Sequence, residues 1–67
     1  MVIKECDKVM TIIDKSFDNG YVPCGTIGYV VDIAENKGTK HYLLEISDIN
    51  HDDPLFDFKE EEIKLFP

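Results

Sequence analysis

Two stretches of the chain alternate between apolar and polar positions, which is the pattern of a β-strand. The alternation runs through residues 26–35 and again through residues 41–49. A period of two over this length predicts strands rather than helices. Between them, residues 36–39 (Asn-Lys-Gly-Thr) predict a tight turn with Gly38 in the left-handed conformation. The two segments are therefore expected to form an antiparallel hairpin.

Shorter apolar segments predict the remaining elements. Residues 9–13 are β-branched and apolar, and residues 55–58 and 63–66 are candidate short strands. Residues 59–62 (Lys-Glu-Glu-Glu) predict a single helical or 3₁₀ turn before the last strand. Residues 1–8 are ambiguous between a short lead-in strand and a turn of helix.

A long loop is predicted between the first two strands. Residues 16–25 contain Asn19-Gly20, Pro23 and Gly25, which are loop-forming because glycine reaches positive φ and proline restricts φ. The pattern as a whole predicts a mainly β protein, a single domain over residues 1–67, built as a small five-stranded antiparallel barrel. Closure into a barrel would remove most of the exposed strand edges of so small a sheet.

The alternation also predicts which side chains form the core. In residues 26–35 the larger apolar side chains occupy the odd-numbered positions, and in residues 41–49 they occupy the even-numbered ones. The predicted core is Val9, Ile12 or Ile13, Val22, Ile27, Tyr29, Val31, Ile33, Tyr42, Leu44, Ile46, Phe58, Ile63 and Leu65.

Charge is the feature that bears most directly on function. The chain has fourteen acidic side chains and only seven basic ones, all lysine, so its net charge is −7. Eight of the acids lie in the last third: Glu45, Asp48, Asp52, Asp53, Asp57, Glu60, Glu61 and Glu62. Such a field accelerates association with positively charged partners and repels polyanions. Nucleic acids are therefore not expected as partners, since lysine and arginine supply most of the affinity for phosphates.

Other classes of function find little support in the residues. No catalytic motif is present, and a 67-residue domain has little room for a pocket that separates carboxyl pKa values. Residues 48–59 lack the glycine and glutamate of a calcium-binding loop, and two cysteines without close spacing make a weak zinc site. We therefore expect neither enzymatic activity nor a metal or other cofactor. Without a signal peptide or long apolar run, we expect a cytoplasmic protein with free thiols and no membrane contact.

The acidic cluster has two interpretations. It is a solvated surface that aids solubility, or it is a docking surface for a basic protein. Phe17, Tyr21 and Phe56 lie in or beside loops and would serve the second interpretation as apolar anchors within an acidic rim. The candidate partner-binding residues are Glu45, Asp48, Asp52, Asp53, Phe56, Asp57, Glu60, Glu61 and Glu62.

The central hairpin carries a resemblance to a known class of fold. The stretch from Gly25 to Ile33, followed by a turn and residues 42–46, resembles the central hairpin of small SH3-like barrels, in which a Gly-x-x-Gly-x-Val-Val pattern leads into the first strand. Residues 58–64 resemble the short turn and final strand of the same barrels. Nucleic-acid-binding members carry basic residues beside this hairpin, whereas this chain places acids there: Asp32, Glu35, Glu45 and Asp48.

The resemblance extends to small bacterial SH3-like proteins encoded beside toxin genes, some of which are believed to be immunity proteins. It implies an inhibitor that neutralises a basic toxin domain, such as a nuclease, through its acidic surface. The alternative is an SH3-like adaptor module that binds basic or proline-rich peptides.

Overall fold

The computed structural model describes residues 2–67 and consists mainly of antiparallel β-structure. Its strands are β1 (Lys8–Thr11), β2 (Lys15–Phe17), β3 (Gly20–Val22), β4 (Ile27–Asn36), β5 (Thr39–Glu45), β6 (Leu55–Lys59) and β7 (Ile63–Leu65). A 3₁₀ turn, Glu60–Glu62, separates β6 from β7. Five strands form one sheet in the order β6-β5-β4-β1-β7, and β2 and β3 form a separate two-stranded ribbon. No pairing joins β6 to β7 in the described part of the chain, so the predicted closure into a barrel is not found.

The predicted hairpin is confirmed. Strands β4 and β5 pair in antiparallel fashion from Tyr29 opposite Glu45 to Asn36 opposite Thr39. Lys37 and Gly38 form the turn with φ values of 53° and 81°, the positive range that two-residue hairpin turns require. Strand β5 ends at Glu45 rather than continuing to residue 49, because the chain turns over residues 47–49.

The strands near both chain ends and the 3₁₀ turn lie close to their predicted positions. The exception is the ambiguous first segment: residues 2–7 form neither a strand nor a helix, and Met1 lies outside the described residues. Ile3 is nevertheless buried, and the Cys6 amide donates to the Val30 carbonyl at 2.7 Å. The lead-in segment therefore packs against the sheet through a side chain and backbone bonds, without forming a further strand.

The long loop predicted over residues 16–25 is wrong in part, since much of it forms the β2–β3 ribbon. Phe17 packs edge-on against the rings of Phe56 and Phe58, with centroids 5.2 and 5.3 Å apart. Val22, at the end of β3, is completely buried. The ribbon thus covers one side of the core with two apolar side chains, which explains why two three-residue strands persist here.

The core faces only one side of the sheet. Its buried apolar side chains are Ile3, Val9, Val22, Val30, Tyr42, Leu44, Ile46, Phe56, Phe58 and Ile63. The predicted positions in β5, β6 and β7 are confirmed for Tyr42, Leu44, Phe58 and Ile63. Leu65, in contrast, is 38% exposed at the end of β7, an edge strand of the sheet.

The prediction of core side chains in β4 is wrong for Tyr29 and Val31, whereas Ile33 packs against the core as predicted. A β-bulge interrupts the pairing between Val30 and Asp32, so Val31 is an extra residue with no direct partner on β5. Before the bulge, Val30 points into the core, while Tyr29 and Val31 are 50% and 42% exposed. After it, Ile33 packs against the core. An odd–even rule cannot hold along both halves, because the bulge reverses the parity.

Glycine at position 28 allows a close approach within the core. A Cβ atom built on Gly28 would lie 2.9 Å from Cγ1 of Ile46 and 3.4 Å from the Glu45 carbonyl oxygen. Ile46 follows β5 directly and is 3% exposed. The missing side chain therefore lets the segment after β5 pack directly against β4, a role consistent with glycine inside a strand.

The free edge of β6 is protected by side chains of the ribbon. The Asn19 amide donates to the carbonyls of Asp53 and Leu55, both at 2.9 Å, and Lys15 Nζ donates to the Asp57 carbonyl at 3.3 Å. Edge strands present unpaired backbone groups on which other chains can add strands. Here the donors of Lys15 and Asn19 occupy those groups and tie the ribbon to the sheet.

One buried hydroxyl connects β1 to the loop that precedes β4. Thr11 is completely buried; its Oγ1 donates to the Pro23 carbonyl at 2.9 Å and accepts from the Thr26 amide at 3.0 Å. Backbone bonds of Thr11 with Gly25 and Thr26 join the same segments. The loop is therefore fixed to β1 by two backbone bonds and by two bonds of a single side-chain oxygen.

We expect Thr11→Val to destabilise the fold by about 1–3 kcal/mol, because the Thr26 amide loses its buried acceptor while the volume is conserved. Urea denaturation followed by circular dichroism measures the change. Thr11→Ser is the control: it keeps the oxygen and loses one buried methyl group, at a cost of about 1 kcal/mol. A valine variant at least as stable as the serine variant would contradict this role of the hydroxyl.

Candidate functional site

The face of the sheet opposite the core presents both apolar and acidic side chains. In the β-register, Tyr29 lies opposite Glu45, which lies opposite Leu55. One step along, Leu43 lies between Asp32 and Asp57. Residues directly opposite each other on neighbouring strands share a face, so these six form one continuous surface. The outer face is defined here as Tyr29, Asp32, Leu43, Glu45, Leu55 and Asp57.

Large apolar groups on this surface are open to solvent. Tyr29 is 50% exposed and Leu55 is 40% exposed, and Val31 at the adjacent bulge is 42% exposed. Isolated apolar side chains are common on protein surfaces, but a contiguous group bordered by polar residues is typical of interaction sites. The outer face therefore combines exposed apolar area with carboxylates, the composition expected of a docking surface.

At one end of the outer face, a histidine side chain contacts a carboxylate. His41 Nδ1 lies 3.3 Å from Oδ1 of Asp57, and both side chains are partly exposed. Asp32 accepts a hydrogen bond from the Ile33 amide at 2.9 Å, which orients its carboxylate. A shallow concavity of about 190 Å³ at this end is lined by Asp32, Ala34, His41, Leu43 and Asp57. Two of the three outer-face acids thus have partners within the protein.

The other end contains a larger concavity of about 340 Å³. It is lined by Ile27, Tyr29, Glu45, Ile46, Ser47 and Asp48. Within residues 2–67, the carboxylates of Glu45 and Asp48 form no ion pair. An exposed aromatic ring, an apolar floor and two carboxylates without an ionic partner are suited to binding a cation that carries an apolar stem.

The acids predicted from the last third do not form a single cluster. Glu45 and Asp57 belong to the outer face, and Asp48 borders one end of it. Asp52 and Asp53 lie in the loop before β6, where both backbone amides donate to Asn50 Oδ1. The three glutamates of the 3₁₀ turn lie elsewhere, and Glu60 and Glu61 line a concavity of about 330 Å³ beside the hairpin turn.

The interpretation of Phe56 as an exposed anchor is wrong. Phe56 is 1% exposed because its position in β6 points to the core, where the ring of Phe17 packs edge-on against it. Phe17 is only partly exposed because its ring packs against the rings of Phe56 and Phe58. Of the three loop aromatics considered as anchors, Tyr21 alone is largely exposed, at 53%.

Glu62 is committed to the fold and is not free for a partner. Its Oε1 atom lies 2.9 Å from Lys15 Nζ and 2.8 Å from the Lys59 backbone nitrogen. Partial burial tends to raise its pKa, but the hydrogen bonds from Lys59 and Lys15 and the charges of both lysines outweigh it and lower the pKa. The ionised form of Glu62 therefore stabilises the 3₁₀ turn and joins it to β2.

Lys15 is held by aromatic rings as well as by this carboxylate. Its Nζ atom lies 5.3 Å from the ring centroids of Phe17 and Phe58, within the range of cation–π attraction. Nearby, burial and the adjacent Glu60 carboxylate raise the pKa of the Tyr42 hydroxyl. Glu62 and Lys15 thus hold the 3₁₀ turn against β2, whereas Glu60 and Glu61 in the same turn are exposed.

The sequence prediction missed the apolar half of the outer face. Tyr29 was assigned to the core by its parity, and Leu43 and Leu55 were not considered as contact residues. Their position on the outer face depends on the bulge at Val31 and on the pairing of Tyr29 with Glu45 and of Glu45 with Leu55. The sequence did contain one indication of this apolar surface, because Leu43 shares the polar face of β5 with Glu45.

Other candidate chemistry is sparse in residues 2–67. Cys6 and Cys24 are free thiols, and both are exposed. No group of three potential metal ligands from histidine, cysteine, aspartate and glutamate occurs in this part of the chain. Over the same residues, no helix has the length and apolar character needed to span a bilayer.

Comparison with known proteins does not assign the chain to a class. It matches no protein-family model, no curated protein and no solved structure.

We expect Glu62→Gln to lower the free energy of unfolding at neutral pH by about 1.5–3 kcal/mol, the range for losing a charge-assisted hydrogen bond. The folded pKa is lowered from 4.5, so the carboxylate's contribution is present above pH 4.5 and lost as pH falls through the folded pKa. The difference in stability between wild type and variant should therefore shrink in acid.

Urea unfolding between pH 3 and pH 7 checks this expectation. Glu61→Gln is the matched control, since it makes the same chemical change at an exposed neighbour in the same turn. It should change stability by less than about 0.5 kcal/mol. A constant difference between wild type and Glu62→Gln over the whole pH range would show that ionisation of Glu62 contributes nothing.

Proposed function

We propose that this protein acts by binding, not by catalysis, and that it inhibits a basic toxin domain through its acidic surface. The observation that carries the proposal is the outer face, on which exposed Tyr29 and Leu55 and half-buried Leu43 alternate with carboxylates on a chain of net charge −7. Apolar groups supply affinity, whereas charge supplies association speed and partner choice. A nuclease is a suitable target, because its active site must be positive to hold phosphates and carboxylates can take their place.

The proposal includes an SH3-like fold. It is supported by five antiparallel strands in the order β6-β5-β4-β1-β7, a ribbon inserted between β1 and β4, and a 3₁₀ turn before the last strand. In this proposal the curved sheet and the ribbon enclose the core as a small SH3-like barrel. The immunity role follows from the family resemblance, and it places the protein in the cytoplasm beside its target.

The proposed contact surface contains fewer acids than the set predicted from the last third of the sequence. Glu45, Asp48 and Asp57 lie on or beside the outer face, whereas Asp52 and Asp53 lie on the loop before β6. Glu60 and Glu61 remain exposed and form a secondary acidic surface. We assign the docking role to the first group, because those carboxylates adjoin exposed apolar side chains.

A second function, an adaptor that binds basic or proline-rich peptides, is favoured by the two concavities on the outer face. Shallow sites of about 190 and 340 Å³ bordered by aromatic or apolar side chains and acids suit single side chains of an extended peptide. An adaptor would bind many partners weakly, whereas an inhibitor would bind one partner tightly and abolish its activity.

Neutralising the outer-face acids should slow association with the partner about tenfold at low salt and flatten the salt dependence. The variant is Glu45→Gln, Asp48→Asn and Asp57→Asn. Its matched control, Glu5→Gln, Asp18→Asn and Glu35→Gln, makes the same change in net charge at other exposed positions. Because the control alters total charge equally, it separates local docking from long-range attraction.

The partner is first captured from source-cell lysate with immobilised wild-type protein and eluted with salt, and its association rate is then measured by stopped flow. A single basic enzyme recovered near 1:1, whose activity falls to zero at one equivalent of inhibitor, supports the inhibitor. Binding of many peptides from basic and proline-rich pools at micromolar affinity supports the adaptor. Equal association rates for the two triple variants would contradict docking through the outer face.

A further inference from the structure

We infer that the concavity at one end of the outer face is a binding site for an arginine side chain of the partner. It is lined by Ile27, Tyr29, Glu45, Ile46, Ser47 and Asp48 and has a volume of about 340 Å³. The inference rests on the proposed function, since it specifies which chemical group of a basic partner is recognised and where.

The ring of Tyr29 provides the aromatic wall of this arginine site. Tyr29 is 50% exposed, and no lysine in residues 2–67 lies over its ring. Lys8 is its neighbour on β1, but the ammonium group of Lys8 lies over the Phe66 ring, 5.0 Å from the centroid. The face of Tyr29 is thus available for the stacking that a planar guanidinium group favours.

Two carboxylates supply the charge. Glu45 lies directly opposite Tyr29 on β5, and Asp48 belongs to the turn that follows. Two other acids already contact basic side chains of the protein: Glu62 binds Lys15, and Asp57 contacts His41. Glu45 and Asp48 have no such ion pair within residues 2–67. A guanidinium group carries five donors in a fixed fork and can meet two carboxylates at once.

The backbone holds this arrangement in place. The Ile46 amide donates to the Pro54 carbonyl at 2.8 Å, and the Ile49 amide donates to the Ile46 carbonyl at 3.3 Å. Because Gly28 has no side chain, Ile46 packs directly against β4. The turn bearing Asp48 is therefore fixed beside Tyr29, and Ile27 and Ile46 offer an apolar floor for the methylene groups of arginine.

Arginine fits this site better than the alternatives. A lysine ammonium is a compact, strongly hydrated charge that gains less from a flat ring. A second copy of the chain is a poor occupant, because the chain contains no arginine and two copies of net charge −7 repel each other.

The test uses amide-resolved NMR of the full chain at low salt, titrated with a blocked Gly-Arg-Gly peptide. Shifts should concentrate at the amides of Tyr29 and residues 45–48. The same peptide with citrulline, the uncharged isostere of arginine, should produce none there, and the lysine peptide should produce weaker shifts. Equal shifts with the citrulline peptide, or arginine-dependent shifts confined to residues 38–40 and 60–61, would overturn the inference.

Substitutions distinguish the contribution of the Tyr29 ring to binding from that of the two carboxylates. Tyr29→Leu should weaken binding of the arginine peptide about two- to fivefold, the range for an exposed cation–π contact, whereas Tyr29→Phe should bind as wild type does. Glu45→Gln with Asp48→Asn should reduce the shifts to those of the citrulline peptide. Glu60→Gln with Glu61→Gln, an equal change of charge at the other acidic surface, should leave binding unchanged.

Failure of this inference can be told apart from failure of the proposed function. If a captured basic partner binds the Tyr29→Leu and Glu45→Gln/Asp48→Asn variants as tightly as wild type but loses affinity for Glu60→Gln/Glu61→Gln, the arginine site is wrong and inhibition through acids stands. If no basic partner associates with the wild-type protein while the peptide shifts appear as expected, the arginine site stands and the inhibitor proposal fails.

Discussion

A single sheet of this size must bury an apolar face along its whole length, and β4 is the strand that makes this possible. It is the longest strand, and it pairs with β1 over its first three residues and with β5 along most of its length. The bulge at Val31 lets the strand change direction while Val30 and Ile33 both reach the core. Bulges bend a strand and increase its twist. The same extra residue turns Tyr29 and Val31 towards solvent, so the core and the outer face have a common origin.

The ribbon of β2 and β3 covers the part of the core that the five-stranded sheet leaves open to solvent. Phe17 and Val22 cover the apolar side, and Lys15 and Asn19 bond to the edge of β6. Lys15 also reaches Glu62, so one lysine joins the ribbon, the edge strand and the 3₁₀ turn. In a domain whose total stability is of the order of 3–10 kcal/mol, a few such bonds account for a substantial fraction.

Local patterns predicted the hairpin and the last strands because their signals lie within a few residues. The turn at Lys37-Gly38 and the alternation around Tyr42 and Leu44 are of this kind. The ribbon was missed because its short strands depend on packing of Phe17 against rings that lie about forty positions later. The outer face was missed because pairing register and a bulge are properties of two strands together. Acids adjacent in sequence were likewise separated by turns, and Glu62 proved to be structural.

The division of the sheet into a buried face and an outer face has a consequence for how the protein can change. Tyr29, Leu43 and Glu45 alternate along their strands with the core residues Val30, Leu44 and Ile46 and point away from them. Substitutions on the outer face therefore leave the packing of the interior largely untouched. If the outer face binds a partner as proposed, recognition and folding are under nearly independent control, and a lineage can change that partner by exchanging a few surface side chains while the scaffold remains the same. The same independence makes the outer face a practical place to engineer new specificity.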